Sequence, residues 1–478
     1  MSPQPVVHEV NTALWLADLG RALGRPVTLG EVPDDAWDAV ARPGVDAVWL
    51  MGVWERSTTG LALVDTDTRR SFRRALPDLR PEDVIGSPYC VRRYEVDERF
   101  GGRDGLARAR AALARRGVLL VLDHVPNHVA PDHPWASSPE LVVRGDRAED
   151  PAAWVVVADR AVARGRDPYF PPWPDVVQLD AFSPALREAT VGVLSDIAEQ
   201  CDGIRCDMAM LPTNDVFART WRGRTGPPPA DDFWPTVLAG LRARHPDVLM
   251  IAEAYWDMEW TLQQQGFDLC YDKRLYDRLT GLDVAGVRAH LRADLAYQSR
   301  LVRFLENHDE PRVAARLPRE AVPAAAVVLA TLPGATLWHE GQFEGRRVRP
   351  PVFLNRAPDE PTDPALAAWH HHLLTVAPGV RTGRWQLLEA AGRPDNRTCE
   401  NLLTWSWTAP GTSHVVVVNF SPAPSQGRVR MDCAPGPTRL TDVLRTETFH
   451  RDGDELSTEG LYVELPPWSH HVLEVTAA

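Results

Sequence analysis

Short runs of apolar, β-branched residues alternate, up to residue 375, with segments in which apolar side chains recur at helical spacing. The runs predict eight strands, over residues 6–10, 45–51, 118–124, 203–207, 249–253, 267–271, 301–306 and 335–339. Residues 184–200 are a typical intervening helix, with Leu186, Leu194 and Ile197 on one face behind Ser183 as N-cap. Eight strands, each followed by a helix, predict an α/β fold of the (β/α)8 TIM-barrel type. An open doubly wound sheet is the alternative, but no GxGxxG turn follows the first strand.

Two segments depart from this alternation. Residues 129–180, after the third strand, are rich in Pro, Trp and Asp and too long for an ordinary loop, which predicts a small inserted subdomain. Residues 378–478 contain short strands separated by turn residues, predicted at 402–407, 414–420, 428–431 and 470–475. We therefore expect a catalytic barrel over 1–128 and 181–377, a subdomain over 129–180 and a C-terminal antiparallel β-sandwich over 378–478.

Composition and charge narrow the class of protein. The chain has 478 residues, of which 44% are hydrophobic and 24% charged, so it is expected to fold. Its net charge of -13 disfavours nucleic acids and anionic membranes as partners. Residues 1–11 have no signal-peptide pattern, and no CxxC pair occurs among the six cysteines, which favours a cytoplasmic location with reduced thiols.

Polar residues end four of the predicted strands, where the carboxyl edge of a barrel builds its active site. The third strand leads into DHVPNH (123–128), the fourth into GIRCDMA (203–209), the fifth into IAEA (251–254) and the seventh into ENHDEP (306–311). Arg205 and Asp207 are two residues apart and therefore point to the same side of their strand. Because the strand ends converge, Asp207, Glu253 and Asp309 are expected to meet at one barrel mouth.

These four segments, in this order, resemble the signature segments of the α-amylase family, glycoside hydrolase family 13. The inserted subdomain and the terminal sandwich are also similar to the layout of this family. The resemblance implies an enzyme that acts on α-linked glucosides through three carboxylates, Asp207, Glu253 and Asp309. It also implies that His128 and His308 bind the sugar at the cleavage point.

The chemistry of retaining cleavage agrees with these roles. It needs a nucleophilic carboxylate on one face of the anomeric carbon and a protonated carboxyl on the other. Asp207 suits the nucleophile, since Arg205 keeps it ionised, and Glu253 suits the acid/base, since apolar neighbours raise the pKa of a carboxyl. The resemblance makes Asp309 the carboxylate that grips sugar hydroxyls.

Three further residues have expected roles in or near the site. Tyr89 is expected to form the aromatic platform under the sugar, although its spacing to Phe100 is one residue shorter than is usual in the family. Asp123 is expected to brace Arg205 beneath the site. Asn127 matches a calcium ligand of many secreted amylases, so calcium is a possible ligand here, although no cofactor is required by the sequence.

Several interpretations stay open at this level. A single carboxylate at a strand end is more often a helix cap, and only the combination favours a catalytic site. Met208-Ala209-Met210 follows Asp207 where starch-cutting relatives continue with a Lys-His pair, which favours small α-glucosides or malto-oligosaccharides. The alternatives are an isomerase or phosphorolytic transferase on trehalose- or sucrose-like disaccharides, and a non-catalytic carbohydrate-binding scaffold. Linkage, chain length and oligomeric state are not determined by the sequence.

Overall fold

A closed barrel of eight parallel strands forms the centre of the computed structural model, which describes residues 4–477. The strands, numbered β1 to β8 here, are Val6–Asn11, Ala47–Met51, Leu119–His124, Gly203–Cys206, Leu249–Ala252, Leu269–Tyr271, Leu301–Phe304 and Ala335–His339. Each strand pairs with its neighbour in sequence, and β1 closes the barrel against β8, with Val7 opposite Leu337. The prediction of an eight-stranded barrel is confirmed.

The ends of some strands differ slightly from the prediction. Asp207 and Glu253 each lie one residue beyond the strand that was expected to contain them. Their backbone N–H groups still continue the ladder, donating to the carbonyls of His124 and Cys206. The two carboxylates are therefore fixed by the sheet although they stand at its rim.

Alternation along the strands separates the inside of the barrel from its outer face. Val7, Trp49, Val121, Ile251 and Phe304 pack together inside the barrel. Positions of the same parity further along the strands carry the polar residues Glu9, Asp123, Arg205, Asp207 and Glu253. Period-two alternation thus aims these side chains at the carboxyl mouth.

Helices cover the outer face of the barrel. The helix Pro184–Ala198 begins as predicted, with the Ser183 hydroxyl accepting from the Leu186 N–H group. Among the described residues, the α-helices up to residue 380 are Thr12–Leu23, Asp34–Val40, Thr66–Ala75, Gly102–Ala114, Pro184–Ala198, Asn214–Thr220, Phe233–Arg242, Glu259–Gln264, Lys273–Thr280, Val284–His290, Leu295–Gln298, Val313–Arg316, Ala321–Thr331 and Pro364–Val380. The helix Gly453–Thr458 belongs to the C-terminal sandwich, where Leu456 is part of the core.

Three small antiparallel pairs stand outside the barrel. Trp54–Arg56 pairs with Val91–Val96 after β2. In the segment after β3, His128–Val129 pairs with Val177–Gln178, and Trp154–Val157 pairs with Arg160–Ala163. The pairing of Val129 with Val177 closes this segment at its base, so that it forms a small subdomain beside the barrel mouth.

A two-sheet sandwich follows the last barrel helix. One sheet contains, in spatial order, Arg384–Leu387, Leu402–Ala409, Thr412–Asn419, His470–Ala477, Pro437–Asp442 and Thr448–Asp452, and the other contains Ala390–Ala391, Ser425–Val429 and Leu461–Leu465. The predicted strand at 428–431 is wrong in its bounds, and the strands around residues 440, 450 and 463 were missed, although the alternation of Leu461, Val463 and Leu465 is itself a strand pattern. Trp407 donates to the carbonyl of Thr331 at 2.8 Å, joining the sandwich to a barrel helix.

Candidate active site

Arg205 is the centre of the charge arrangement at the barrel mouth. Its Nη1 lies 2.9 Å from Asp207 Oδ1 and 3.5 Å from Asp123 Oδ1, and its Nη2 lies 2.8 Å from Glu253 Oε2. The guanidinium is 1% exposed, so these charges meet away from bulk water. One cation thus brings Asp207 and Glu253 together, as the sequence predicts, and Asp123 stands beside it as the expected brace.

Glu253 is enclosed more completely than the other carboxylates. Its Oε2 accepts from the Met208 N–H group at 2.7 Å, and its Oε1 accepts from the Tyr255 hydroxyl at 2.8 Å. Burial raises the pKa of Glu253 to about 7, against the opposing charge of Arg205 and with help from Asp207 and Asp309. A substantial protonated fraction near neutral pH is what a general acid requires.

Asp207 has a different environment although it shares Arg205. The Arg205 Nη1 group donates to Oδ1 at 2.9 Å, and the side chain lines a cavity. Burial raises the pKa of Asp207 above its ordinary value, while Arg205 opposes the rise. The two carboxyls thus differ in hydrogen bonding and in access to the cavity, which is the kind of difference that separates a nucleophile from an acid.

His308 connects the third carboxylate to the aromatic platform. Its Nε2 lies 2.7 Å from the Tyr89 hydroxyl and 3.0 Å from Asp309 Oδ2, and its ring stacks on Tyr89 with centroids 5.4 Å apart. Burial alone would lower the pKa of His308, but Asp309 and Glu9 raise it well above its ordinary value. Partial desolvation opposes ionisation of Asp309, whose side chain is 48% exposed, yet the charge of His308 lowers the pKa of Asp309 to about 2.

A cavity of about 430 Å³ opens in front of these groups, within the usual range for small-molecule sites. The predicted site residues Tyr89, His128, Asp207 and Asp309 line it. Further walls come from Leu63, Val64, Met208, Trp173, Asp175 and Phe353. Apolar and aromatic side chains opposite carboxylates suit a sugar ring, which has apolar faces and hydroxyl edges.

Met208 binds Glu253 through its backbone and also lines this cavity. It follows Asp207 with φ 41°, in the left-handed region that a side chain with a Cβ seldom adopts. Its N–H group holds Glu253 and its side chain lines the cavity, whereas Glu253 is 2% exposed. Met208, and not Glu253, is thus among the residues that line the cavity.

Asn127 does not stand ready to bind calcium. Its side-chain oxygen accepts from Gln178 Nε2 at 2.9 Å, which ties the start of the inserted segment to its end. Within residues 4–477, no group of three or more His, Cys, Asp and Glu side chains is placed to hold a metal ion. The Asn127 side-chain oxygen thus already has a donor within the protein, and calcium at this residue stays a prediction.

Sequence reasoning missed Glu9, Asp175, Met208 and Trp173 as parts of the site. Glu9 was the most accessible of these to prediction, because an acidic residue stands at an inward position of a fully buried strand. Trp173 and Asp175 lie in a segment without regular periodicity. Nothing in their local sequence indicates which way the chain turns there.

Two curated proteins have similar sequences. The chain is 27% identical over 441 residues to the α-amylase MalA of Haloarcula japonica, which covers 88% of this chain and 56% of that protein. It is 25% identical over 294 residues to an α-1,4-glucan:maltose-1-phosphate maltosyltransferase of Burkholderia pseudomallei, covering 58% of this chain and 22% of the relative. The chain thus spans about half the length of the first relative and less of the second. No family model matches it.

Solved structures match the fold over the whole chain. The maltogenic α-amylase AmyB of Thermotoga neapolitana superposes with a TM-score of 0.71 at 19% identity, covering 100% of both chains. The α-amylase of H. orenii also gives 0.71, at 17% identity and with 100% of both chains covered. Sequence similarity over most of the chain and a full-length match of fold agree: the chain is similar to α-amylases, as its four segments predict.

Proposed function

We propose that the protein is a retaining α-glycoside hydrolase or transglucosylase that acts on small α-linked glucosides or malto-oligosaccharides by double displacement. The observation that carries this proposal is the pairing of Asp207 and Glu253 across the single guanidinium of Arg205. A scaffold that only bound sugar would gain nothing from two buried carboxylates around one cation, because burying charges costs free energy.

The reaction follows from the two environments. Asp207 attacks the anomeric carbon while the bond to the leaving oxygen breaks, and that oxygen takes the proton of Glu253. Water or a sugar hydroxyl then gives its proton to Glu253 and attacks the same carbon, which releases Asp207. Asp309 and the Nε2 group of His308 are suited to bind sugar hydroxyls beside Tyr89. Arg205 stabilises the negative charge of Asp207, which is lost when the glycosyl ester forms and returns when the ester is cleaved.

The cavity supports a short substrate. Leu63 and Val64 from the segment after β2 and Phe353 from the loop after β8 form one wall. The two segments are joined, since the Ile85 N–H group donates to the carbonyl of Phe353 at 2.8 Å. A wall built from joined loops leaves less room for a long glucan than an open cleft does.

Transfer to an acceptor other than water is a second candidate. Met208 lines the cavity and Glu253 is 2% exposed, so the access of water to the base of the second step is limited. One curated relative is named as a transferase from maltose 1-phosphate, which makes phosphorylated maltose a donor to test. Transfer and hydrolysis share the first displacement and differ only in the acceptor of the second step, which is water in hydrolysis and another molecule in transfer.

A substrate panel with product chromatography tests both candidates. We expect the purified protein to release or transfer glucosyl or maltosyl units from maltose, trehalose, sucrose, maltodextrins or maltose 1-phosphate, with retention at the anomeric carbon. Each substrate is run with and without phosphate and with maltose as acceptor. Binding of these sugars in calorimetry without turnover of any of them would contradict the proposal and favour the scaffold.

The pH dependence of kcat/KM gives a further prediction. Glu253 must be protonated in the first displacement, and its pKa is raised to about 7, so kcat/KM should fall as the pH rises through about 7. Glu259 is a matched control, because burial raises its pKa to about 7 as well, but it lies outside the group of carboxylates that contact Arg205. The Glu259→Gln variant should keep this alkaline limb. A profile that stays flat to pH 9 would contradict the role of Glu253.

A further inference from the structure

Glu9 is a buried carboxylate that the reaction described above does not use. It lies near the carboxyl end of β1, is fully buried, and stands 299 positions from the histidine that it contacts. Burying a carboxylate costs free energy unless it is paired and hydrogen-bonded, so a partner is expected for Glu9. The partner of Glu9 is His308, which faces the cavity side of the barrel through Tyr89 and Asp309.

Both nitrogens of the His308 ring have carboxylate partners. Glu9 Oε1 lies 2.5 Å from His308 Nδ1 and also accepts from the His308 backbone N–H group at 3.3 Å. On the other side, His308 Nε2 lies within 3.0 Å of Asp309 Oδ2. A ring between two carboxylates donates from both nitrogens when it is protonated, and Trp49 packs edge-on against it at 5.6 Å.

Other charged groups around His308 keep Glu9 ionised, although the cations among them oppose a positive charge on the His308 ring. Burial opposes a charged Glu9, but His339, His308 and Arg205 lower the pKa of Glu9 below its ordinary value. The groups that face or electrostatically affect His308 from the surrounding elements are Glu9, Asp123, Tyr89, Asp309, Arg205 and His339. Two carboxylates contact the His308 ring, Glu9 and Asp309, and of these two Glu9 has no access to solvent.

We propose that Glu9 is a positioning residue that keeps His308 as an imidazolium, with its Nε2–H group directed at Asp309 and at the sugar beside Tyr89. Without a negative charge at Glu9, His308 loses a proton at lower pH. If the Glu9 carboxylate is replaced by a neutral amide, a neutral His308 ring that donates from Nδ1 to the amide oxygen can only accept at Nε2, and its bond to Asp309 is lost. The inference rests on the proposed function, because the sugar is the group that His308 would bind.

The test compares Glu9→Gln with Glu9→Asp and the unaltered protein. Glu9→Gln should retain most activity at pH 5.5 and lose roughly tenfold or more of its kcat/KM at pH 8, because one charge-assisted hydrogen bond is lost. Its alkaline limb should move down by about 1 pH unit. Glu9→Asp retains the charge and should have an intermediate profile.

Asp272→Asn is the matched control, since Asp272 also pairs with a histidine, His290, at 2.9 Å but does not line the cavity. It is expected to lower thermal stability and to leave the pH profile unchanged. An unchanged profile in Glu9→Gln, or one shifted equally by Asp272→Asn, would overturn the proposal.

A second measurement does not depend on turnover, and it is made on the unaltered protein. Nitrogen-15 NMR of histidine-labelled protein, with the resonance assigned by its loss in His308→Gln, reports the protonation of both ring nitrogens. His308 should stay doubly protonated from pH 5 to 8 in the unaltered protein, as Glu9 requires. Titration of His308 near its ordinary pKa of 6.5 overturns the role of Glu9, whereas lack of turnover with a protonated His308 refutes only the proposed function.

Discussion

Asp207→Asn should reduce kcat/KM for an activated α-glucosyl substrate by about 10³-fold or more and leave the fold intact. An amide cannot form the glycosyl ester, and it also removes the negative charge that Arg205 pairs with at 2.9 Å. The measurement is initial-rate kinetics with 2,4-dinitrophenyl α-glucoside, together with thermal unfolding of the same preparation.

Asp202→Asn is the matched control for this loss. Asp202 lies at the amino end of the same strand, where it accepts from the Leu120 N–H group at 2.9 Å and from Arg110 at 2.6 Å. The same chemical change at the opposite end of the barrel should lower stability slightly and keep turnover. If Asp207→Asn retained more than a tenth of the activity, the nucleophile would have to be another group.

Glu253→Gln should have the second-largest effect, and its size should depend on the leaving group. Maltose needs a proton on the departing oxygen, so its turnover should fall by about 10³-fold, whereas dinitrophenolate departs without help and its release should fall much less. The difference arises because the proton donor is lost while Asp207 remains. Kinetics with both substrates at pH 6 measure it.

Azide distinguishes the two carboxylates by the anomer of the product. With Glu253→Ala, azide attacks the glycosyl-enzyme and should give the α-glucosyl azide, with net retention. With Asp207→Gly, azide replaces the missing nucleophile and should give the β-glucosyl azide, with inversion. The reverse pattern would exchange the roles of the two residues, and no rescue of Glu253→Ala would leave it as a binding group.

The causes of the raised pKa of Glu253 could be predicted only in part from the sequence. The sequence places small and aromatic residues, Ala252, Ala254 and Tyr255, around this glutamate, which predicts a raised pKa from desolvation. It does not predict that Arg205 lies 2.8 Å from Glu253 Oε2 or that the Met208 N–H group donates to the same oxygen. Both contacts join β4 to β5 and exist only because the strands are neighbours in register, with Arg205 opposite Ile251.

The sequence by itself determined the eight strands, their order and the inward position of Arg205, Asp207 and Glu253, because strand alternation and burial are local properties of the chain. Barrel closure decided the rest. It brought Glu9 of β1 against His308, and the packing of long loops put Trp173 and Phe353 into the cavity wall. Such contacts depend on how distant segments meet, and no local pattern of apolar and polar residues encodes that geometry.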